Sequence, residues 1–107
     1  MRYRKSIEDT VDMTVVALCA DFGRRSLAIR EKRVTHRTEM EYRYLNFKIL
    51  SAAEEIMGEG LGENIIEEIG YGVGYAHSYV TDISESTYKD RKLMVKENIA
   101  KKLHLID

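Results

Sequence analysis

Proline is absent from the 107 residues, and so is tryptophan. With no proline, nothing of that kind interrupts the long stretches of strong helix formers. With no tryptophan, tyrosine supplies seven of the nine aromatic residues, so the large rings carry a polar tip. Cysteine is almost absent as well. Cys19 stands alone, which excludes an intramolecular disulfide and a cysteine-based zinc site and fits a reducing compartment, the cytoplasm. It falls in the apolar run Val15-Val16-Ala17-Leu18 and reads as a small buried hydrophobe.

Long apolar runs are also missing. Arg2, Arg4 and Lys5 ahead of Met13 to Ala20 imitate a signal peptide, but Glu8, Asp9 and Asp12 interrupt the approach, and Leu18 is too large for a lipoprotein cleavage site before Cys19. The run falls well short of the roughly 20 residues a spanning helix needs, so no membrane association is expected.

What is present is a globular balance of 44% hydrophobic and 33% charged residues, enough for one domain with a modest core. Net charge is only −1, but it is segregated: +4 over residues 1–37, −8 over 38–86 and +3 over 87–107. Basic and acidic stretches can form separate surfaces or pair with one another on folding.

Apolar periodicity predicts an all-α fold of four to five helices. Ile7, Val11, Val15, Leu18, Phe22 and Ile29 form one stripe running to about Val34, with Ser6-x-x-Asp9 as a candidate capping box. As one straight rod, about 28 residues would extend about 42 Å, long against the ~13 Å radius of gyration of a domain this size. The expectation is a break near Gly23, or projection and pairing with a second chain; a homodimer is expected. A second helix is predicted from the capping box Thr38-x-x-Glu41. It has a broad core face of Met40, Tyr44, Phe47 and Leu50 with Leu45, Ile49, Ala52, Ala53 and Ile56, and ends at Gly58, Gly60 and Gly62. A third runs over about Gly62 to Gly70, and Gly70 to Gly74 reads as a flexible stretch. The last starts at Ser84 or Ser86 and reaches about Leu103, with Tyr88, Val95, Ile99, Leu103 and Ile106 inward. The chain thus divides into an N-terminal helical hairpin (1–57) and a second half (61–105) within one domain (1–107).

Enzymatic chemistry finds little support. Gly70-x-Gly72-x-Gly74 follows a helix where a dinucleotide fingerprint needs a strand, and it lacks the Lys and Ser/Thr of a phosphate loop. Glu55, Glu59, Glu63 and Glu67 with Glu54 and Glu68 read as a solvated acidic face, since none of His36, His77 and His104 completes the Glu-x-x-His of a di-iron bundle. No catalytic residue, metal or cofactor is assigned.

The basic residues are more informative. Arg24, Arg25, Arg30, Lys32, Arg33 and Arg37 against Glu31 give +5 over residues 24–37, and the arginines are candidate phosphate contacts. Near the C-terminus, Ile83-Ser84-Glu85-Ser86-Thr87-Tyr88-Lys89-Asp90-Arg91-Lys92 reads like the turn and recognition helix of a helix-turn-helix. Residues 64–105 resemble the sigma-factor region-4-like domains that end phage and mobile-element transcription regulators of the ArpU and RinA kind, including the closing Ile99-Ala100-Lys101-Lys102-Leu103-His104-Leu105. Val80 occupies the large aliphatic position about four before Ser84, whereas His77 stands about seven before, where the motif carries a small residue.

The resemblance implies a regulator of double-stranded DNA. Ser84 would cap the recognition helix, Glu85, Ser86, Thr87, Lys89, Arg91, Lys92 and Lys96 would face DNA, and Tyr88 and Val95 would face inward. The alternative is a helical oligomer acting through protein–protein contacts. A DNA binder leaves residues 84–92 open and basic; an interaction module covers them with the acidic middle or a partner.

Overall fold

The computed structural model describes residues 7–107, leaving Ser6 and the basic residues Arg2, Arg4 and Lys5 outside it. Five α-helices follow one another: α1 (Asp9–Ala20), α2 (Phe22–Arg30), α3 (His36–Met57), α4 (Gly62–Tyr71) and α5 (Glu85–Lys102), with a 3-10 turn at Tyr75–His77. No strand occurs among the described residues. The all-α expectation and the helix count hold.

The long first helix divides at Asp21, two residues before Gly23. Asp21 keeps near-helical angles (φ −91°, ψ −3°), so the break is a kink. Two carbonyls at the kink are satisfied by side chains. Arg25 Nη2 donates to Leu18 O at 2.8 Å, and the Tyr71 hydroxyl donates to Ala20 O at 3.4 Å. Such partners meet the usual demand that backbone polar groups be paired.

The candidate capping box Ser6-x-x-Asp9 rests on Ser6 and lies outside the described residues; the N-cap of α1 is Glu8, which makes no side-chain cap bond. Helix α3 starts one turn before its predicted cap. Thr35 adopts an extended conformation and its Oγ1 accepts the Thr38 N–H at 3.3 Å, so Thr38 stands inside the first turn.

Helix α3 is the central element. Its C-terminal half packs against α4 and α5, its N-terminal half pairs with α2, and α1 lies across α4 and α5. The core joins Val15 and Cys19 of α1, Ile49, Ala52, Ala53 and Met57 of α3, Ile65, Ile66 and Ile69 of α4, and Tyr88, Val95, Ile99 and Ala100 of α5. Each buried isoleucine contributes about 1.5–3 kcal/mol over an exposed one. Small residues set the close approaches. A Cβ on Gly70 would sit 2.5 Å from Ala20 N and 2.6 Å from Ala20 Cα, so α1 and α4 touch backbone to backbone there. Gly70 is therefore packed helix, not the flexible stretch the sequence suggested. Gly72 ends α4 at φ 68°, and the Val73 N–H closes back on Glu68 O at 2.9 Å, a left-handed stop that suits glycine.

The molecule measures 49 × 30 × 20 Å. The α2–α3 pair is held by a buried polar cluster. Arg25 is 2% exposed and donates through Nε to Asn46 Oδ1 (2.7 Å) and through Nη1 to Asp21 Oδ2 (3.2 Å). Asn46 in turn donates to Phe22 O (3.2 Å) and Ser26 Oγ (2.9 Å). No helix among the described residues is long and apolar enough to cross a membrane.

Candidate functional site

Helix α5 begins as the sequence suggests. Ser84 is its N-cap, with Oγ accepting the Thr87 N–H at 3.2 Å, while Tyr88 and Val95 point inward. Ser84, Glu85, Ser86, Lys89 and Asp90 are exposed, so the first turns are open. They are not basic. Lys89 pairs with Glu85 at 2.8 Å, and Asp90 lies beside Arg91. Lys92 does not face solvent with them. Its Nζ donates to Val73 O at 2.6 Å and lies 5.4 Å from the Tyr88 ring centroid. Burial, with Lys96 nearby, pushes its pKa below the usual lysine value. Lys96 reaches the other way, to Asp12 at 3.0 Å, tying α5 to α1. Arg91 and Thr87 are half-buried along a shallow groove with Glu55, Ile56 and Met94, and Arg91 pairs with no carboxylate among the described residues.

The segment before α5 differs from a helix-turn-helix. Between Tyr71 and Glu85 the chain forms only the Tyr75–His77 3-10 turn and extended stretches, in place of a helix and a tight turn. His77 is exposed and Val80 is buried. Glu68 organises this segment. Its carboxylate is 2% exposed, belonging to the interior and not to a solvated acidic face. Oε1 accepts from Ser78 Oγ and the Tyr88 hydroxyl, both at 2.7 Å, and Oε2 accepts the Tyr79 N–H at 2.9 Å. Tyr75 adds a bond to Ile83 O at 2.7 Å and rests on the Tyr88 ring. Burial and the Glu68 carboxylate raise the Tyr88 phenol to about 12. Four hydrogen bonds thus fix this helix-poor stretch.

The basic cluster at residues 24–37 divides in two. Arg25 is not a surface phosphate contact: the buried cluster described above uses all three of its nitrogens. Arg24 is exposed but chelated by both oxygens of Asp21 and stacked 5.5 Å from the Tyr42 ring centroid. Arg30, Lys32, Arg33 and Arg37 are exposed around the α2–α3 turn, with Arg33 paired to Glu31 at 2.9 Å and Arg37 to Glu41 at 3.6 Å. They make one cationic tip on the hairpin.

The sequence reading missed the outer face of α3. Met40, Tyr44 and Phe47 were expected in the core and are instead 54%, 55% and 67% exposed. They recur at i, i+4 and i+7, one continuous ridge. The inward side of the same helix carries Asn46, Ile49, Ala52 and Ala53. A signal was available. The apolar set over residues 40–56 is too broad for one face, and its alternate members fit a second stripe of heptad type.

No family model, curated protein or solved structure matches this chain. The assignment of function therefore rests on the surfaces themselves. Among the described residues no group of three or more His, Cys, Asp or Glu side chains is placed to hold a metal ion. Cys19 is buried, and that burial raises its thiol to about 12, far from the thiolate that nucleophilic chemistry uses.

Proposed function

We propose that this chain is a non-enzymatic helical interaction protein of the cytoplasm, and that it contacts its partner through the outer face of α3. The observation that carries the reading is the ridge Met40–Tyr44–Phe47, three large side chains more than half exposed on a helix whose opposite face is core. Together they expose roughly 350 Å² of mostly apolar surface, the size of patch that on monomers is often functional. Most α5 cations are engaged within the chain, which favours this reading over a nucleic-acid surface at residues 84–92.

DNA binding by a regulator using the helix from Ser84 is the second reading. Two observations favour it: the open, capped first turns of α5 and the cationic hairpin tip at Arg30, Lys32, Arg33 and Arg37. One pair of experiments separates the readings. A photoreactive side chain installed at Phe47 should form protein adducts in cells, and one installed at Lys101 should not. Titration of labelled protein with a generic DNA duplex at low and then moderate salt should leave the amides of residues 84–92 unmoved. Salt-sensitive shifts there, with no protein adduct at position 47, would reverse the order of the two readings.

A further inference from the structure

The geometry points to a second copy of this chain as the partner on the α3 ridge, in an antiparallel, two-fold symmetric pairing of α3 with α3. This inference rests on the interaction reading and names its partner. Self-association through a two-fold axis needs a surface complementary to itself, and the charges of α3 meet that condition in one register.

With Tyr44 and Ser51 at a positions and Met40 and Phe47 at d positions, the flanking e positions are Glu41 and Lys48. Lys48 has no carboxylate partner among the described residues; its ammonium lies 5.5 Å from the Tyr44 ring centroid. Glu41 is exposed, and its contact with Arg37 is loose at 3.6 Å. When Tyr44 packs against the partner's Phe47 and Met40 against the partner's Ser51, Glu41 of each chain falls beside the partner's Lys48, twice by symmetry. The cationic tip of each hairpin then runs along the partner's Glu54 to Glu59. The other register, Tyr44 against the partner's Met40, places Glu41 opposite the partner's Glu41 and Arg43 opposite the partner's Arg43. Like charges oppose that register, so the sequence specifies one pairing by repulsion as well as attraction.

Two ridges supply roughly 700 Å² of apolar area. With the charged flanks included, the interface falls near the ~1,200 Å² lower bound of stable complexes. An interface of that size belongs with the weak, concentration-dependent associations, and the segregated charge of the chain is used between copies.

Sedimentation equilibrium from about 1 to 500 µM tests the assignment. The wild-type chain is expected to pass from monomer to dimer within that range. Phe47→Asp should weaken association more than about a hundredfold, because two rings leave the interface and two charges enter it. Glu41→Lys alone and Lys48→Glu alone should each weaken it about tenfold, and the two together in one chain should restore it. Glu41 and Phe47 are exposed and Lys48 is half-buried, and unchanged thermal melts confirm that folding is intact. A wild-type chain that stays monomeric at 500 µM overturns the proposal, as does a dimer indifferent to Phe47→Asp. Two reversals that add without rescue overturn the register. A monomer that still forms adducts to another protein at position 47 ends the self-pairing but not the interaction reading. A monomer without such adducts ends both.

Discussion

Two glycine-to-alanine substitutions with identical chemistry should move stability in opposite directions. In α4, Gly70 lies where the helix crosses α1. An added Cβ meets Ala20 N at 2.5 Å, Ala20 Cα at 2.6 Å and the Cys19 carbonyl carbon at 2.8 Å, all backbone atoms with no rotamer to give way. Ordinary carbon contacts need about 3.5–4.0 Å, so the helices must part by about 1 Å and loosen the packing around Val15, Cys19, Ile66 and Ile69. Overpacking of this kind costs about 1–3 kcal/mol or more. Alanine recovers about 1 kcal/mol of helix propensity. The clash wins because it acts on a rigid interface, and Gly70→Ala should lose about 2 kcal/mol, a large part of the 5–15 kcal/mol typical of a domain. Gly23, in the first turn of α2, has nothing within 4 Å of an added Cβ. Gly23→Ala keeps the propensity gain and should be more stable by up to about 1 kcal/mol. Urea unfolding followed by helical circular dichroism should separate the two midpoints by roughly 1 M or more, given a slope of about 1–3 kcal/mol per molar. A Gly70→Ala chain as stable as wild type would refute the backbone-contact argument.

Other substitutions probe the buried polar groups. Arg25→Ala should cost about 3 kcal/mol because it strands Asn46 Oδ1 and Leu18 O in the interior. Arg24→Ala, next in sequence but exposed and paired only at the surface, should cost less than about 1 kcal/mol in the same urea assay. Glu68→Ala removes the acceptor of three donors and should cost about 3–5 kcal/mol, with the Tyr79 amide losing its hydrogen-exchange protection first. Stability should also fall in alkali. The Tyr88 phenol is raised from 10.0 to about 12, so its contribution is complete below pH 10 and is lost as pH climbs through 12, about 2–3 kcal/mol in all. Cys19 is raised from 9.0 to about 12 and adds a loss in the same direction, so the melts belong in a Cys19→Ala background. If Tyr88→Phe leaves the alkaline slope there unchanged, Tyr88 is not its source.

Periodicity and end signals were enough to read the helices. The α1 stripe of Val11, Val15 and Leu18, the glycine end of α3 and the Ser84 cap of α5 are local features, set by residues within a turn or two of one another, whereas α4 runs past the expected end at Gly70 to stop at Gly72. The lone cysteine read correctly as a small buried hydrophobe because its apolar neighbours already marked its face. Local pattern alone did not place the break in the first helix. A rod from Ile7 to Val34, about 42 Å, would fit within the 49 Å long axis of the molecule, and the kink at Asp21 comes with tertiary bonds from Arg25 and Tyr71.

Tertiary structure alone decided which of several equally apolar or charged residues went inside. Asn46 and Ile49 go inward while Tyr44 and Phe47 go out, because α2, α4 and α5 cover only one side of α3, and no local rule states which side the neighbours will take. Arg24 and Arg25 are indistinguishable in sequence. Asn46, twenty-one residues beyond Arg25, supplies the partner that makes its burial tolerable. Glu67 and Glu68 differ in the same way: one is solvated, and the other is buried because Ser78, Tyr79 and Tyr88 converge on it. A buried charge needs partners distant in sequence, and only the folded chain brings them together.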